Sequence, residues 1–95
     1  MPTLNWTQPA TDDLWAIDAW LEENALGEIA IATLVAIRAR ARFLENFPRG
    51  GRPLRNGMRV LRVINTPHLI LYRLAGDSVE ILRVHHERED WFVAP

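Results

Sequence analysis

The residues best suited to chemistry stand close together near the end of the chain. Arg83 and His85 fall in the segment 79–92, which begins as an alternating strand. Successive side chains of a strand point to opposite faces, so this pair is expected on one face with Val79 and Ile81. A guanidinium binds phosphate or carboxylate, and an imidazole titrates near neutrality and can transfer protons. The pair is a candidate for acid–base chemistry beside an anion, although a lone histidine at a strand end is more often structural or exposed.

A second arginine interrupts an apolar strand further upstream. Arg59 and Arg83 both alternate with apolar residues in strands that otherwise have the pattern of a core. Such an arginine is either paired with a carboxylate, for instance Glu80 or Asp90, or lines an anion-binding surface. The sequence leaves both interpretations open. The second one predicts a patch for a phosphate backbone or a scissile phosphate, made of Arg59, Arg83, His85 and Arg88.

No metal site is expected. His85 and His86 are neighbours on a strand, so their rings point to opposite faces and cannot readily share one ion. Zinc takes three or four protein ligands, and His68 is the only other histidine in a chain that has no cysteine. The glycine-rich stretch 48–57 also lacks the lysine and the following helix of a phosphate-binding P-loop. The chemistry predicted from the sequence therefore uses no cofactor.

The net charge of −1 conceals a strong segregation of charge along the chain. Residues 1–28 carry no basic residue and the following acids: Asp12, Asp13, Asp18, Glu22, Glu23 and Glu28. Residues 38–62 carry one acid, Glu45, and the following arginines: Arg38, Arg40, Arg42, Arg49, Arg52, Arg55, Arg59 and Arg62. The use of arginine alone suits recognition of phosphate or carboxylate, and a GC-rich genome would give the same bias. A basic middle predicts an acidic partner, either nucleic acid or an acidic protein segment.

The size and composition are those of one small globular domain. A chain of 95 residues can bury one modest core without staples. The absence of cysteine suits a cytosolic protein, and the first residues lack the pattern of a signal peptide. No apolar run approaches the roughly 20 residues of a membrane span. We expect a single domain over residues 1–95, in the cytoplasm and without membrane contact.

Two helices are predicted to follow a short first strand at Thr3–Thr7. Pro9 suits the first turn of a helix that runs to Glu23, capped by Thr7 or Gln8. In this helix Trp20 is expected in the core. A second helix is predicted from Glu28 to Asn46, because apolar residues recur at steps of four and three. That stripe consists of Ala30, Leu34, Ile37, Ala41 and Leu44.

The hydrophobic period changes from helix to strand after a loop at Pro48–Gly57. Strands are predicted at Met58–Ile64, Leu69–Leu74 and Val79–His85, with short connections that imply an antiparallel meander. The order β-α-α-β-β-β belongs to the α+β class, with a helical hairpin packed on one face of a small, mainly antiparallel sheet. The sequence leaves open which side of the sheet the first strand joins.

The ordered set of motifs resembles the RelE/ParE superfamily of type II toxin–antitoxin toxins over nearly the whole chain. Its early parts are Trp6, Ala10-x-x-Asp13-Leu14-x-x-Ile17, Phe47-Pro48 with Gly51-Arg52, and Arg59. Its later parts are Ile70-x-Tyr72-Arg73 and Val79-x-Ile81-Leu82-x-Val84-x-His86-x-Arg88-x-Asp90-Trp91. The ending is similar to the His-x-Arg-x-Asp-Trp ending of the ParE-like plasmid-stabilisation branch.

The resemblance implies a toxin that is neutralised by a cognate antitoxin with an acidic tail, and it implies one of two activities. ParE-like members poison DNA gyrase, whereas RelE-like members cleave mRNA on the ribosome with basic residues and a C-terminal Tyr or His. This chain has no lysine, and Tyr72 lies in the central strand, so the gyrase activity is the leading hypothesis. Under the ribonuclease alternative, the catalytic residues are Arg59, Arg83 and His85. The residues expected to bind the target or the antitoxin are Arg38, Arg42, Arg49, Arg52, Arg55, Arg88, Trp91 and Phe92.

Overall fold

Two helices and four strands follow one another in the order that the sequence predicts, and the structure adds one short strand. The computed structural model describes residues 2–88. Its elements are β1 (Thr3–Trp6), α1 (Gln8–Asn24), α2 (Gly27–Asn46), β2 (Arg52–Pro53), β3 (Met58–Arg62), β4 (His68–Ala75) and β5 (Ser78–His86). The α+β class and the β-α-α-β-β-β order are confirmed. The additional element is β2, a two-residue strand inside the stretch predicted to be a loop.

The strands form one sheet in the order β1-β5-β4-β3-β2. β1 runs parallel to β5, and every other neighbouring pair is antiparallel. The first strand therefore joins the meander at its β5 edge. Thr7, which follows β1, donates from its N–H to the Ile81 carbonyl at 3.1 Å and from its Oγ1 to the same oxygen at 2.7 Å. Thr7 stands at the N-cap position of α1, but its hydroxyl joins the helix to β5 and makes no cap hydrogen bond.

Helix α2 lies on the core as its periodicity predicts. Ala30, Ile37, Ala41 and Leu44 are buried, and Leu34 packs against them. No glycine or proline interrupts residues 28–46, and α2 ends just before Pro48, which disfavours helical backbone in the residue preceding it. Helical spacing and the terminating proline thus account for the length of α2.

Helix α1 buries Ala10, Leu14 and Leu21, but not Trp20. The expectation that Trp20 packs in the core is wrong, since the residue is 62% exposed. Adjacent residues of an α-helix are rotated by about 100°, so Trp20 cannot share the inward direction that Leu21 occupies. Trp20 instead lines a cleft at the end of the sheet.

The core fills the space between the helices and one face of the sheet. Tyr72, Ile37, Leu44, Ile70 and Ile81 are its largest fully buried side chains, together with Val63 and Val79. Among residues 2–88, no helix is long and apolar enough to cross a membrane.

A β-bulge interrupts β5 beside the centre of the sheet. Leu71 pairs with Arg83, whereas the next residue, Tyr72, pairs with Ile81, so Leu82 has no opposite residue on β4. An inserted residue reverses the alternation of side chains on the bulged strand. Val79, Ile81 and Val84 are consequently all buried, although simple alternation would separate Val84 from the other two.

Candidate functional site

The bulge places Arg83 and His85 on the outer face of the sheet, opposite to the face that carries the core. Residues paired directly across strands share a face, and Arg83 lies opposite Leu71 while His85 lies opposite Leu69. Arg83 is exposed and His85 is half-buried. The two residues do share a face, as predicted. They do not share it with Val79 and Ile81, because the extra residue in β5 turns those side chains to the core.

Arg83 is paired, but with a partner from the other end of the chain. Its Nε donates to Asp13 Oδ2 at 2.7 Å and its Nη2 donates to Oδ1 at 2.9 Å. The same carboxylate accepts the backbone N–H of Val84 at 2.9 Å. Asp13 thus joins helix α1 to the part of β5 that extends beyond β1. Sequence reasoning offered Glu80 or Asp90 as partners; Glu80 pairs with Arg73 at 2.6 Å, and Asp90 lies outside the described residues.

Arg59 is separated from Arg83 and His85 by the sheet itself. It lies opposite Tyr72 on the inner face, and its Nη1 donates to the carbonyl of Gly51 at 2.9 Å and to that of Arg49 at 3.3 Å. The guanidinium therefore stabilises the loop that follows α2. The structure does not bring together the three residues of the predicted catalytic group.

Tyr72 completes this loop anchor, and sequence reasoning did not identify it as such. Its hydroxyl donates to the Pro48 carbonyl at 2.9 Å and accepts the Gly51 N–H at 2.8 Å. Burial raises the pKa of Tyr72 above its ordinary value of 10, while the Gly51 hydrogen bond and the Arg59 charge act in the opposite direction. The sequence signal that could have indicated this role is a single tyrosine in an otherwise apolar strand, in a chain that also contains a Gly-Gly pair.

The anchored loop presents three arginines at one edge of the sheet. Arg49, Arg52 and Arg55 are all exposed, and Arg52 lies opposite Val60 in the edge strand β2. The following turn has left-handed backbone at Asn56 (φ 58°) and Gly57 (φ 75°), residues that tolerate this conformation. The loop is therefore an ordered basic projection.

A hollow of about 440 Å³ lies beside this basic projection. It is lined in part by Arg40, Arg52, Arg62 and Glu87. Arg40 donates from Nε to the Arg62 carbonyl at 2.7 Å, and Arg62 pairs with Glu87 at 3.1 Å. More guanidinium than carboxylate groups line the hollow, which suits an anionic ligand or side chain.

A second, apolar cleft of about 570 Å³ lies at the end of the sheet, near the turn between the two helices. Trp20, Ile29, Pro67, His68 and His86 contribute to its lining. The rings of His68 and His86 meet edge to face, with centroids 5.7 Å apart and planes at 79°. Within residues 2–88, no three His, Cys, Asp or Glu side chains gather as a metal site.

The remaining candidate binding residues are dispersed. Arg38 and Arg42 are exposed on α2, and Arg88 is exposed at the end of the described residues. Trp91 and Phe92 lie outside the described residues. The predicted binding set therefore divides into the outer face of α2, the loop after it, and the end of the chain.

These features together define a class of protein: two helices on a five-stranded, mainly antiparallel sheet, as in RelE/ParE-like toxins. The family model described as the ParE toxin of type II toxin–antitoxin system, parDE, matches residues 4–91. The chain belongs to this ParE toxin family. No curated protein matches the chain at a significant level.

Solved structures with the same fold include chains of two toxin–antitoxin systems. A chain of the chromosomal ParDE TA system from P. aeruginosa is 28% identical, with a TM-score of 0.82 over 90% of this chain and 96% of that one. A chain of the toxin-antitoxin complex RelBE2 from Mycobacterium tuberculosis is 30% identical, with a TM-score of 0.62 over 90% of this chain and 99% of that one. The conserved protein HP0894 from Helicobacter pylori, 17% identical with a TM-score of 0.56 over 96% of this chain and 100% of that one, supports the fold alone.

Proposed function

We propose that this chain is a ParE-like toxin that inhibits DNA gyrase and is neutralised by direct binding of a cognate antitoxin. The observation that carries the proposal is the ParE toxin family match over residues 4–91. The similarity to a chain of a ParDE system from P. aeruginosa supports the ParE-like assignment, and gyrase inhibition is the activity that the resemblance to ParE-like toxins implies. Under this proposal the protein acts by contact with gyrase and catalyses no reaction itself.

The positions of the arginines support contact rather than catalysis. A ribonuclease of the alternative type would need Arg59, Arg83 and His85 around one phosphate. Arg59 instead lies on the inner face and bonds two loop carbonyls, and Arg83 forms a bidentate pair with Asp13. Both arginines thus have roles that stabilise the fold.

The antitoxin surface that we propose is the basic projection made of Arg49, Arg52 and Arg55. These side chains are exposed, and hydrogen bonds from Tyr72 and Arg59 hold the loop that carries them. A preorganised basic loop loses little conformational freedom when an acidic segment binds, and its charge accelerates association. The acidic tail expected of a cognate antitoxin has the complementary charge.

The alternative function, ribosome-dependent cleavage of mRNA, is favoured by one specific observation. Arg83 and His85 do lie on the same outer face, where an RNA phosphate could reach both. A chain of the RelBE2 complex, at 30% identity, is named for the RelE-like branch, in which the ribonuclease activity is expected. This alternative makes His85 the proton-transfer residue.

A paired assay separates the two functions. The purified chain is added to gyrase with relaxed plasmid DNA and, separately, to translating ribosomes, with His85→Ala as the comparison. The proposal predicts loss of supercoiling and accumulation of gyrase–DNA cleavage complexes, without codon-linked mRNA ends and without dependence on His85. Codon-linked mRNA cuts that disappear in His85→Ala, with normal gyrase activity, would establish the ribonuclease instead.

A further inference from the structure

The hollow beside the basic projection collects guanidinium groups from three separate elements. Arg40 reaches it from α2, Arg52 from β2 and Arg62 from β3. We call this space of about 440 Å³ the basic hollow, and its volume lies in the range of small ligand pockets. Among its described lining residues, Glu87 supplies the only carboxylate. The balance of charge therefore favours an anionic occupant.

The basic hollow lies where one edge of the sheet is open. β2 is two residues long, so within residues 2–88 no strand pairs with Arg62 on the side of β3 that faces away from β4. Arg40 takes that position, because its Nε donates to the Arg62 carbonyl at 2.7 Å. Its guanidinium also lies 4.7 Å from the centre of the Phe43 ring, a cation–π contact. These contacts hold Arg40 in place and use one of its five N–H donors, so the other donors can bind an anion.

Glu87 occupies the position of a carboxylate ligand. Its Oε2 accepts a hydrogen bond from Nη1 of Arg62 at 3.1 Å. Both side chains are exposed, at 64% for Arg62 and 39% for Glu87. Exposed ion pairs contribute little to stability, since water and salt screen them. A ligand carboxylate that bonds Arg62 together with Arg40 or Arg52 can therefore displace Glu87.

The apolar part of the basic hollow favours a peptide over a nucleic acid. Val60, Leu61 and Leu69 contribute to its lining, and all three are buried. Such residues suit the apolar neighbours of an acidic side chain in a peptide. Single-stranded nucleic acids are commonly bound by stacking on aromatic rings, and none of the described lining residues is aromatic. The lining is therefore that of a site for an acidic and partly apolar protein segment.

We propose that the basic hollow binds a carboxylate side chain of an acidic protein segment, and that Glu87 is the internal competitor which this carboxylate displaces. Under the proposed function, that segment is the acidic tail of the antitoxin, so the identity of the partner rests on the proposed function. Arg52 belongs both to the basic projection and to the basic hollow. The antitoxin surface thus continues from an exposed loop into a pocket of defined size.

Titration of the purified full chain with the peptide acetyl-Leu-Glu-Leu-Glu-Leu-amide tests the proposal. NMR spectra should show shifts of the backbone amides of Gly50 and Leu69, which line the basic hollow. Arg62→Gln should weaken binding about tenfold, because it removes a guanidinium that the ligand contacts. Glu87→Gln should strengthen binding about threefold, because it removes the competitor for Arg62.

Glu80→Gln is the matched control for the loss of one negative charge. Glu80 pairs with Arg73 at 2.6 Å and is not among the residues that line the basic hollow. This variant should bind the peptide as the wild type does. An equal gain in affinity for Glu80→Gln and Glu87→Gln would show a general effect of charge and would overturn the proposal, as would an unchanged affinity for Glu87→Gln.

Two further ligands test the chemistry of the site. The neutral peptide with Gln in place of Glu should not bind, and an oligothymidylate of equal charge should bind more weakly than the acidic peptide. Tighter binding of the oligothymidylate, or amide shifts confined to residues outside the basic hollow, would overturn the proposal. Peptide binding by a chain that leaves gyrase active would refute the proposed target alone. Gyrase inhibition by a chain that does not bind the peptide would refute this site alone.

Discussion

The hydroxyl oxygen of Tyr72 lies 2.8 Å from the amide nitrogen of Gly51 and accepts its hydrogen bond. The contact leaves no room for a side chain at position 51. A Cβ built there would come within 2.7 Å of the tyrosine ring and hydroxyl and within 2.8 Å of the Val60 carbonyl. Tyr72 of the central strand thus anchors the basic loop, and this contact requires glycine at position 51.

Replacing Gly51 by alanine should destabilise the fold. The new methyl group would meet a buried ring and a backbone carbonyl, and overpacking of this kind costs about 3 kcal/mol. Thermal unfolding measures the effect, and Gly27→Ala is the control. Nothing lies within 4 Å of a Cβ at Gly27, at the start of α2, so this variant should be neutral or more stable by about 0.5 kcal/mol. Equal melting temperatures for the two variants would contradict the role of the contact.

Tyr72 should ionise at a higher pH in the folded protein than in the unfolded one. Burial raises the pKa of its hydroxyl, so the folded state keeps the proton when the unfolded state has lost it. This contribution to the free energy of unfolding is complete below pH 10 and is lost as the pH rises through the raised pKa. Tyr72 is the only tyrosine, so tyrosinate absorbance near 295 nm reports it directly. A midpoint at or below the value in denaturant would exclude the predicted shift.

Asp13→Ala should destabilise the junction of α1 and β5. The substitution removes both hydrogen bonds to Arg83 and the acceptor of the Val84 N–H, at a cost of about 2 kcal/mol. Asp12→Ala is the adjacent control, because its carboxylate has only an exposed bond to Gln8 among the described contacts, and the expected change is below about 0.5 kcal/mol. Denaturant unfolding of both variants checks this prediction. Similar midpoints would show that the carboxylate at position 13 is dispensable.

Neutralising the basic projection should weaken antitoxin binding. Arg52→Gln and Arg55→Gln should each raise the dissociation constant about tenfold at low salt, equivalent to about 1.4 kcal/mol. The difference should shrink at high salt as the charges are screened. Arg73→Gln is the control, because Arg73 on the outer face already pairs with Glu80 at 2.6 Å. Calorimetric titration with the cognate antitoxin measures all three, and an equal loss for Arg73→Gln would place the antitoxin elsewhere.

The sequence by itself determined the order of elements, the buried side of α2 and the position of the basic loop. These features depend on neighbours within a few residues: helical periodicity, a terminating proline, and glycines where the chain turns. The class of protein followed from the same ordered motifs, because spacing along the chain does not depend on how strands pair. Local patterns therefore sufficed for the order of elements, and the resemblance of the ordered motifs to known toxins indicated the family.

Only the tertiary structure decided where the predicted site residues point. One unpaired residue, Leu82, reverses the alternation of β5, and nothing in its local sequence distinguishes it from a regular strand position. Arg83 pairs with the carboxylate of Asp13, which lies seventy residues away in the sequence, and Arg59 donates hydrogen bonds to carbonyl groups of a loop. Such contacts depend on strand register and on the crossing of distant segments, so they are properties of the assembled fold. These contacts separate Arg59 from Arg83 and His85. Arg59 and Arg83 of the predicted catalytic group stabilise the fold, and only Arg83 and His85 share the outer face of the sheet.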